Sequence, residues 1–229
     1  MLDNLSHDFH RCGATTRERL EEFVFNPGMW AVLSYRFCRW VHTSRAPWLI
    51  KKLLNFVARL VDLLVRVTTA ITLPASARIG PGLYIPHTGY IVVNSRTVIG
   101  SNCTLGQGVT IGHRSGGRGI GGGSPVIGNR VYIGPGAAVV GPITLGNDAL
   151  IGIGAVVTKS VPERGVVAGN PARLLSRNGS FDLIDYPGME HDPDRMNSLA
   201  QRDERVSGRW PSAVDGVHET TIDLGANHE

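Results

Sequence analysis

The sequence predicts a mainly β fold, a solenoid of very short strands and tight turns, preceded by a small α-helical domain. Two features of the 229 residues carry this prediction: aliphatic residues recur at every sixth position over a long central segment, and the segment before it has helical periodicity. Aromatic residues make up only 7% of the chain while Gly occurs 29 times, which disfavours a helical bundle and favours a turn-rich architecture.

Residues 1–70 are predicted to form the helical domain, with helices in RERLEEFVF, PGMWAVLSYRFCRWVHT and PWLIKKLLNFVARLVDLLVRVTTA. In the last stretch, polar residues at steps of three and four form one stripe on an otherwise apolar cylinder: Lys52, Asn55, Arg59, Asp62 and Arg66. Its apolar runs are too short to span a membrane. We expect this helix to pack on its neighbours or on other subunits, and peripheral contact with a membrane surface is the less favoured alternative.

Residues 71–176 carry the six-residue repeat. Its positions are Leu73, Ile79, Ile85 and Ile91, then Val93, Ile99, Leu105 and Ile111, and after a long insertion Ile127, Ile133, Val139, Leu145, Ile151 and Val157. Neither the 3.6-residue period of a helix nor the two-residue period of a strand gives a strict six, whereas a solenoid with inward aliphatic residues does. Many of these residues precede a Gly, which is expected where a turn needs a positive φ.

The repeat slips by two residues within GLYIPHTGYIVVN, residues 82–94, and His87 stands at the slip. Three hexads make one triangular coil, so the whole repeat predicts between four and five coils. We expect His87, in a turn where the register shifts, to face out of the core and into a cleft.

Charge is divided unevenly along the chain. Residues 71–176 carry 8 Lys or Arg against 2 Asp or Glu, whereas residues 177–229 carry 5 against 11. A basic centre with few acids favours an anionic partner such as a phosphorylated cofactor. Residues 177–229 lose all periodicity and are predicted to be an acidic, disordered tail.

Several classes of site are not indicated by the sequence. Cys12, Cys38 and Cys103 are widely spaced and form no CxxC motif, which suits a reducing cytoplasm and a role as small packing residues. No secretory signal is found in the sequence. No metal-ligand spacing is found either, so no metal is expected. Nucleic-acid binding is not expected either, since no aromatic platform or reader motif accompanies the modest basic charge.

The hexad run ending in IGIGAVVTKSVPERGVVAGNPARLL, with helices before it and the stretch IGPGLYIPHTGYIVVN, resembles the serine acetyltransferase family of hexapeptide-repeat acyltransferases. That family has relatives that acetylate sugars of exopolysaccharides such as colanic acid. The resemblance covers roughly residues 25–176. It implies a left-handed parallel β-helix, which periodicity alone does not. It also implies acetyl-CoA as the donor, a small hydroxyl acceptor, and a homotrimer or dimer of trimers with active sites between neighbouring coils.

The resemblance also implies roles for particular residues. His87 matches the general base that takes the proton from the acceptor hydroxyl. An alcohol is a poor nucleophile until a base removes this proton. The positions that match the CoA site are Pro135, Ile153, Thr158, Lys159 and Arg173. The alternatives are a solvated turn histidine for His87 and ordinary solubilising charge for Lys159 and Arg173.

The chain departs from the family pattern near the acceptor. Pro86 and Thr72 stand where the family has carboxylates, and Ser124 stands where it has a second histidine. His113 and Arg114 open the long loop and are the candidate acceptor-side residues that could replace that histidine.

These departures leave the acceptor open. The family as a whole indicates L-serine, whereas a sugar hydroxyl needs no acidic partner for an ammonium group. The sequence therefore predicts a cytoplasmic, acetyl-CoA-dependent O-acetyltransferase that acts on one of the two. The alternative class is a catalytically weak trimeric scaffold that binds partners through its helices or its acidic tail.

Overall fold

A computed structural model describes residues 2–13, 15–116 and 121–200, and every structural statement below concerns these residues. The helices come first in the chain: α1 Leu2–His10, α2 Thr16–Phe25, α3 Pro27–Thr43 and α4 Trp48–Thr69. Short strands follow from residue 71, and the described part ends in a 3₁₀ turn at Met189–His191 and α5 at Pro193–Ala200.

The strands stack into three faces of a parallel β-helix. Face 1 consists of β1 Ile71–Thr72, β3 Ile91–Val93, β6 Thr110–Gly112, β9 Ala138–Val140 and β12 Val156–Val157. Face 2 consists of β2 Arg78–Ile79, β4 Val98–Ile99, β7 Val126–Ile127 and β10 Thr144–Leu145. Face 3 consists of β5 Thr104–Leu105, β8 Tyr132–Ile133, β11 Leu150–Ile151 and β13 Val166–Ala168, to which β14 Arg173–Ser176 adds antiparallel. The chain runs through the faces in the order 1, 2, 3, which confirms the coils of three hexads.

The core is the column of inward aliphatic residues that the hexad positions predict. On face 2, Ile79 pairs with Ile99, Ile99 with Ile127, and Ile127 with Leu145 in register. All four are at most 7% exposed. Burying such a side chain fully stabilises a fold by about 1.5–3 kcal/mol, so the repeat supplies the main stabilising term of every coil.

The two-residue slip of the repeat falls in the turn that holds His87, as the sequence predicts. Ile71 pairs with Ile91, and Val93 pairs with Ile111. Ile91 and Val93 are both buried while Val92 between them is 48% exposed. β3 itself pairs in unbroken register, since Val92 is opposite both Thr72 and Thr110. Tyr84 pairs with Thr104 on face 3, so the turn from there to Val93 is two residues longer than the turn from Thr104 to Ile111.

The glycines that follow the hexad positions serve close approach between coils. None of them has a positive φ, contrary to the sequence expectation. A Cβ on Gly100 would lie 2.5 Å from the carbonyl oxygen of Gly128 in the next coil. The backbones of stacked coils are therefore too near for a side chain at this position.

The helices cover the open end of the first coil. Arg36 Nε donates to Asp8 at 2.7 Å, and Arg36 also donates to the carbonyl of Ile79 at 2.7 Å. The hydroxyl of Tyr35 donates to the carbonyl of Ala77 at 2.9 Å and accepts from the N–H of Ile79 at 3.0 Å. Backbone groups at the edge of the solenoid are thereby satisfied.

Helix α4 packs against α3 through Cys38 and Ala58, which are buried together. Its opposite side exposes a broad apolar surface formed by Leu49, Leu53, Phe56, Leu60, Leu63, Leu64 and Val67. In the described ranges, no helix combines the length and apolar character needed to cross a membrane.

Residues 177–200 are folded onto the solenoid, which corrects the prediction of a disordered tail from residue 177. Phe181 is 4% exposed and Ile184 is fully buried. Ser180 Oγ donates to the carbonyl of Arg130 at 2.6 Å, and buried Arg195 donates to the carbonyls of Phe181 and Ile184 at 3.0 and 2.9 Å. The sequence signal was weak because the apolar residues of this segment, among them Phe181 and Ile184, follow neither a helical nor a six-residue period. The rest of the predicted tail, residues 201–229, lies outside the described residues.

Candidate active site

His87 lies in the turn that leads from face 3 to face 1, between the bridge at Tyr84 and β3. It is exposed, and within the described residues its imidazole makes no hydrogen bond, so both ring nitrogens are open to the surroundings. The turn forms one wall of a cleft of about 810 Å³. The cleft is lined by Cys12, Glu18, Glu21, Glu22, Phe25, Asn26, Pro27, Pro86, His87 and Thr88.

Helix α2 contributes another wall of this cleft and, with it, three carboxylates. Glu18, Glu22 and Phe25 recur at steps of four and three, which places them on one side of the helix together with Glu21. The helix begins at a capping box, in which Thr15 Oγ1 accepts from the N–H of Glu18 and Glu18 Oε2 accepts from the N–H of Thr15, both at 3.2 Å. The cap fixes where the helix starts and therefore which side faces the cleft.

Asn26 ties the end of α2 to the coil beside His87. Its Nδ2 donates to Glu22 Oε2 at 2.7 Å and to the carbonyl of Ile85, two residues before His87, at 3.2 Å. Its Oδ1 accepts from the N–H of Gly28 at 2.7 Å and so caps α3. One buried amide thus holds the carboxylate of Glu22 in a defined position near the histidine turn.

The cleft is electronegative. Among its described lining residues are three glutamates and neither Lys nor Arg. Burial raises the pKa of the Cys12 thiol to about 12, and the negative charge of Glu22 adds to that shift. Burial also raises the pKa of Tyr84, again with a contribution from Glu22. The charge of Glu22 therefore acts on Cys12, which lines the cleft, and on Tyr84.

The carboxylate of Glu22 on α2 is a candidate site group that sequence reasoning missed. Thr72 and Pro86, which stand where the family has carboxylates, supply no acidic side chain, and Pro86 lines the cleft. The acids come instead from a helix more than 60 residues earlier in the chain. The spacing in RERLEEF was visible as one helical side, but nothing in the sequence indicated that this side meets the His87 turn.

The corner that holds His87 continues down the solenoid as a stack of turns. Gly108 N–H donates to Gly89 O at 2.7 Å, and Gly154 N–H donates to Pro135 O at 2.8 Å. Between them, the N–H of Gly136 donates to the carbonyl of Gln107 at 2.7 Å. With coils about 4.8 Å apart, the stack runs about 14 Å from the histidine turn. Pro135 and Ile153 both lie on it, and Ile153 is 78% exposed.

Thr158, Lys159 and Arg173 gather in a second cleft, of about 340 Å³, at the last coil. The segment that carries Arg173 turns back under face 1, where the N–H of Ala172 donates to the carbonyl of Val156 at 2.9 Å. Lys159 and Arg173 are exposed, and no carboxylate in the described ranges pairs with either. Two cations without an acidic partner make this cleft suited to phosphate.

His113 and Arg114 lie at a different corner, where the long loop leaves face 1 for face 2. His113 Nδ1 is 3.2 Å from Ser124 Oγ, and Ser124 Oγ donates to Asn94 Oδ1 at 2.9 Å. The backbone of Arg114 pairs with Gly123 and closes the base of the loop. His113 therefore lies next to Ser124, the position where the resemblance places a second histidine. Within a single chain, however, His113 and His87 lie at different corners of the solenoid. No cluster of three or more metal-binding side chains occurs in the parts of the chain described.

Known proteins with similar sequence and structure are serine acetyltransferases. The chain is 33% identical to a serine acetyltransferase of Synechococcus elongatus over 98% of this chain and 92% of that protein. The serine acetyltransferase of Brucella abortus in complex with coenzyme A aligns with a TM-score of 0.61 and 28% identity, over 75% of this chain and 64% of that chain. The Neisseria gonorrhoeae enzyme in complex with serine aligns with a TM-score of 0.63 and 26% identity, over 76% and 69%.

No family model matches the chain. The relatives give no support to a sugar acceptor and do not favour a scaffold without activity. Their fold identifies the three-faced solenoid as a left-handed β-helix, and acetyl-CoA is the co-substrate. With near-complete coverage at 33% identity, the chain belongs to the serine acetyltransferase family of hexapeptide-repeat acyltransferases and is an acetyl-CoA-dependent O-acetyltransferase.

Proposed function

We propose that this protein transfers the acetyl group of acetyl-CoA to the hydroxyl of L-serine, with His87 as the general base. The observation that carries the proposal is the cleft whose described lining includes both the His87 imidazole, which makes no hydrogen bond within the described residues, and glutamate carboxylates. L-Serine offers a hydroxyl to the imidazole and an ammonium group to the carboxylates. A sugar hydroxyl uses only the imidazole and leaves the carboxylate of Glu22 without a cationic partner among the described residues.

In the proposed reaction, His87 takes the proton of the serine hydroxyl while the oxygen attacks the thioester carbonyl. The new C–O bond forms, the C–S bond breaks, and the proton passes to the departing CoA thiolate. The products are O-acetyl-L-serine and CoA. A correctly placed general base contributes roughly 10²- to 10⁴-fold to such a step.

The donor is proposed to lie along the corner below His87. Pro135 and Ile153 border this path, so that the acyl end of CoA reaches the histidine turn. Thr158, Lys159 and Arg173 bind the phosphates at the last coil, where two cations are free of acidic partners. Thr158 and Lys159 follow β12 in the turn between faces 1 and 2, so the phosphate end of this long donor is proposed to cross the lower edge of face 1.

We also infer a homotrimer, in which residues 71–176 form the acyltransferase domain and residues 1–70 the helical domain. His113 and Arg114 lie at a corner remote from His87, so only a neighbouring protomer can bring them to the acceptor cleft. The apolar surface of α4 fits the same assembly, because a helix side with seven exposed aliphatic or aromatic residues favours burial between copies.

The test is CoA release from acetyl-CoA by the purified protein with L-serine as the acceptor. The wild type is expected to release CoA and to form O-acetyl-L-serine, and His87→Ala is expected to lose at least about 100-fold in rate. His42→Ala, which changes an exposed histidine on α3, is the matched control and should retain wild-type activity. Release with sugars and not with L-serine would overturn the proposed acceptor. No release with either acceptor would support the scaffold instead.

A further inference from the structure

We propose that Glu22 is the residue that selects an amino-acid acceptor, because its carboxylate binds the ammonium group of L-serine beside His87. This inference rests on the proposed function and names the recognition element for the acceptor. It assigns to α2 a role that the family pattern does not supply, since the positions that carry acids there are Pro86 and Thr72 in this chain.

Of the glutamates in the cleft, Glu22 has the carboxylate best placed for a ligand. Glu21 is paired with Arg17 at 2.8 Å on the exposed surface. Glu18 uses Oε2 in the capping box of α2. No cation in the described ranges pairs with Glu22, whose hydrogen-bond partner is the neutral amide of Asn26.

The position of Glu22 is fixed before any ligand arrives. Asn26 is 7% exposed, and it holds Glu22 Oε2 on one side and the carbonyl of Ile85 on the other. The carboxylate is thus linked through one side chain to the segment that leads into His87. A preorganised charge loses little freedom on binding, which strengthens a charge-assisted hydrogen bond.

The charge of the cleft has the sign that this ligand requires. Three glutamates line it, and none of its described lining residues is Lys or Arg. A negative charge near the imidazole also favours the imidazolium that forms during proton transfer. Recognition of the ammonium group and assistance to His87 are therefore two distinct possible roles, and the proposal assigns the first to Glu22.

The experiment compares wild type, Glu22→Gln and the matched control Glu21→Gln. Gln at position 22 keeps an oxygen that accepts from Asn26 and removes only the charge. Binding is measured by calorimetry for L-serine, for ethanolamine, which keeps the ammonium and lacks the carboxylate, and for 3-hydroxypropanoate, which lacks the ammonium. Thermal unfolding confirms that the variants are folded.

Glu22→Gln is expected to weaken the binding of L-serine and of ethanolamine by about 10- to 100-fold. The affinity for 3-hydroxypropanoate should stay within about threefold of the wild-type value. Glu21→Gln should change all three by less than about threefold. In steady-state assays the loss in Glu22→Gln should appear in KM for L-serine, with an unchanged pH profile of kcat. Equal losses for all three ligands, a shifted pH profile with an unchanged KM, or a larger effect of Glu21→Gln would overturn the assignment. Normal serine acetylation in Glu22→Gln overturns this inference alone, whereas a wild type that neither binds nor acetylates L-serine overturns the proposed function as well.

Discussion

Asp8 and Arg36 form an ion pair of 2.7 Å, and their side chains are 0% and 3% exposed. Asp8 Oδ1 also accepts from the backbone N–H groups of Gly82 at 2.7 Å and Leu83 at 3.1 Å. One buried carboxylate therefore joins α1, α3 and the coil that leads to His87. The helical domain is thereby fixed to the coil that supplies the His87 wall of the acceptor cleft.

Asp8→Asn is expected to lower the free energy of unfolding by about 3–5 kcal/mol, because it leaves Arg36 buried without a countercharge. Asp62→Asn removes the carboxylate of an ion pair with Arg66 that is partly exposed, and should cost less than about 1 kcal/mol. Urea denaturation of both variants checks the prediction. Similar midpoints for the two variants would contradict it.

Gly100→Ala is expected to destabilise the solenoid by about 1–3 kcal/mol, because the new methyl group would meet the carbonyl oxygen of Gly128 at 2.5 Å. The control is Gly121→Ala, where nothing lies within 4 Å of the added Cβ. Thermal unfolding separates the two, and an unchanged midpoint for Gly100→Ala would show that the coils can move apart without cost.

Lys159→Ala and Arg173→Ala are each expected to raise KM for acetyl-CoA by roughly 2- to 10-fold, with little change in KM for L-serine. Both side chains are exposed, so the effect should weaken as salt is added. Initial rates at varied acetyl-CoA and at two ionic strengths provide the measurement. Lys52→Ala, on the polar stripe of α4, serves as the control for the loss of a surface cation.

The cysteines are expected to be nearly inert in the folded protein. Burial raises the pKa of Cys103 to about 11 and that of Cys12 to about 12. At pH 8 a thiol with a pKa of 11 is about 0.1% thiolate, and the reactive fraction increases only as the pH approaches that pKa. Ellman's reagent at pH 8 should therefore detect little protein thiol until denaturant is added, and then all of Cys12, Cys38 and Cys103. Rapid labelling of the native protein would show that these sites open.

Ile184→Ala is expected to reduce stability by about 2–4 kcal/mol, because it empties a fully buried position under the segment that follows the last coil. Leu183→Ala, at a neighbour that is 45% exposed, should have a much smaller effect. Urea denaturation compares them. If the two variants unfold together with the wild type, residues 177–200 contribute no stability to the solenoid.

Much of the fold could be predicted from the sequence, because the signals are local. The hexads from Leu73 to Val157 place one aliphatic residue on each face, and the coil geometry follows from that repeat. The placement of Pro135 and Ile153 on one corner also follows, since positions 18 residues apart occupy equivalent places in successive coils. The role of the following glycines was misread, because a sequence does not show how closely two coils approach at Gly100.

The sequence by itself determined the solenoid, its register and the position of His87 in a turn, since a short-range repeat specifies a core that is built coil by coil. Only the tertiary structure decided what faces that histidine. The acceptor cleft depends on contacts between residues far apart in the chain, such as Asn26 with Ile85 and Asp8 with Gly82. Periodicity carries no information about such pairings, because they arise from the way the helices pack on the first coil. That packing brings Glu22 and His87 into one cleft.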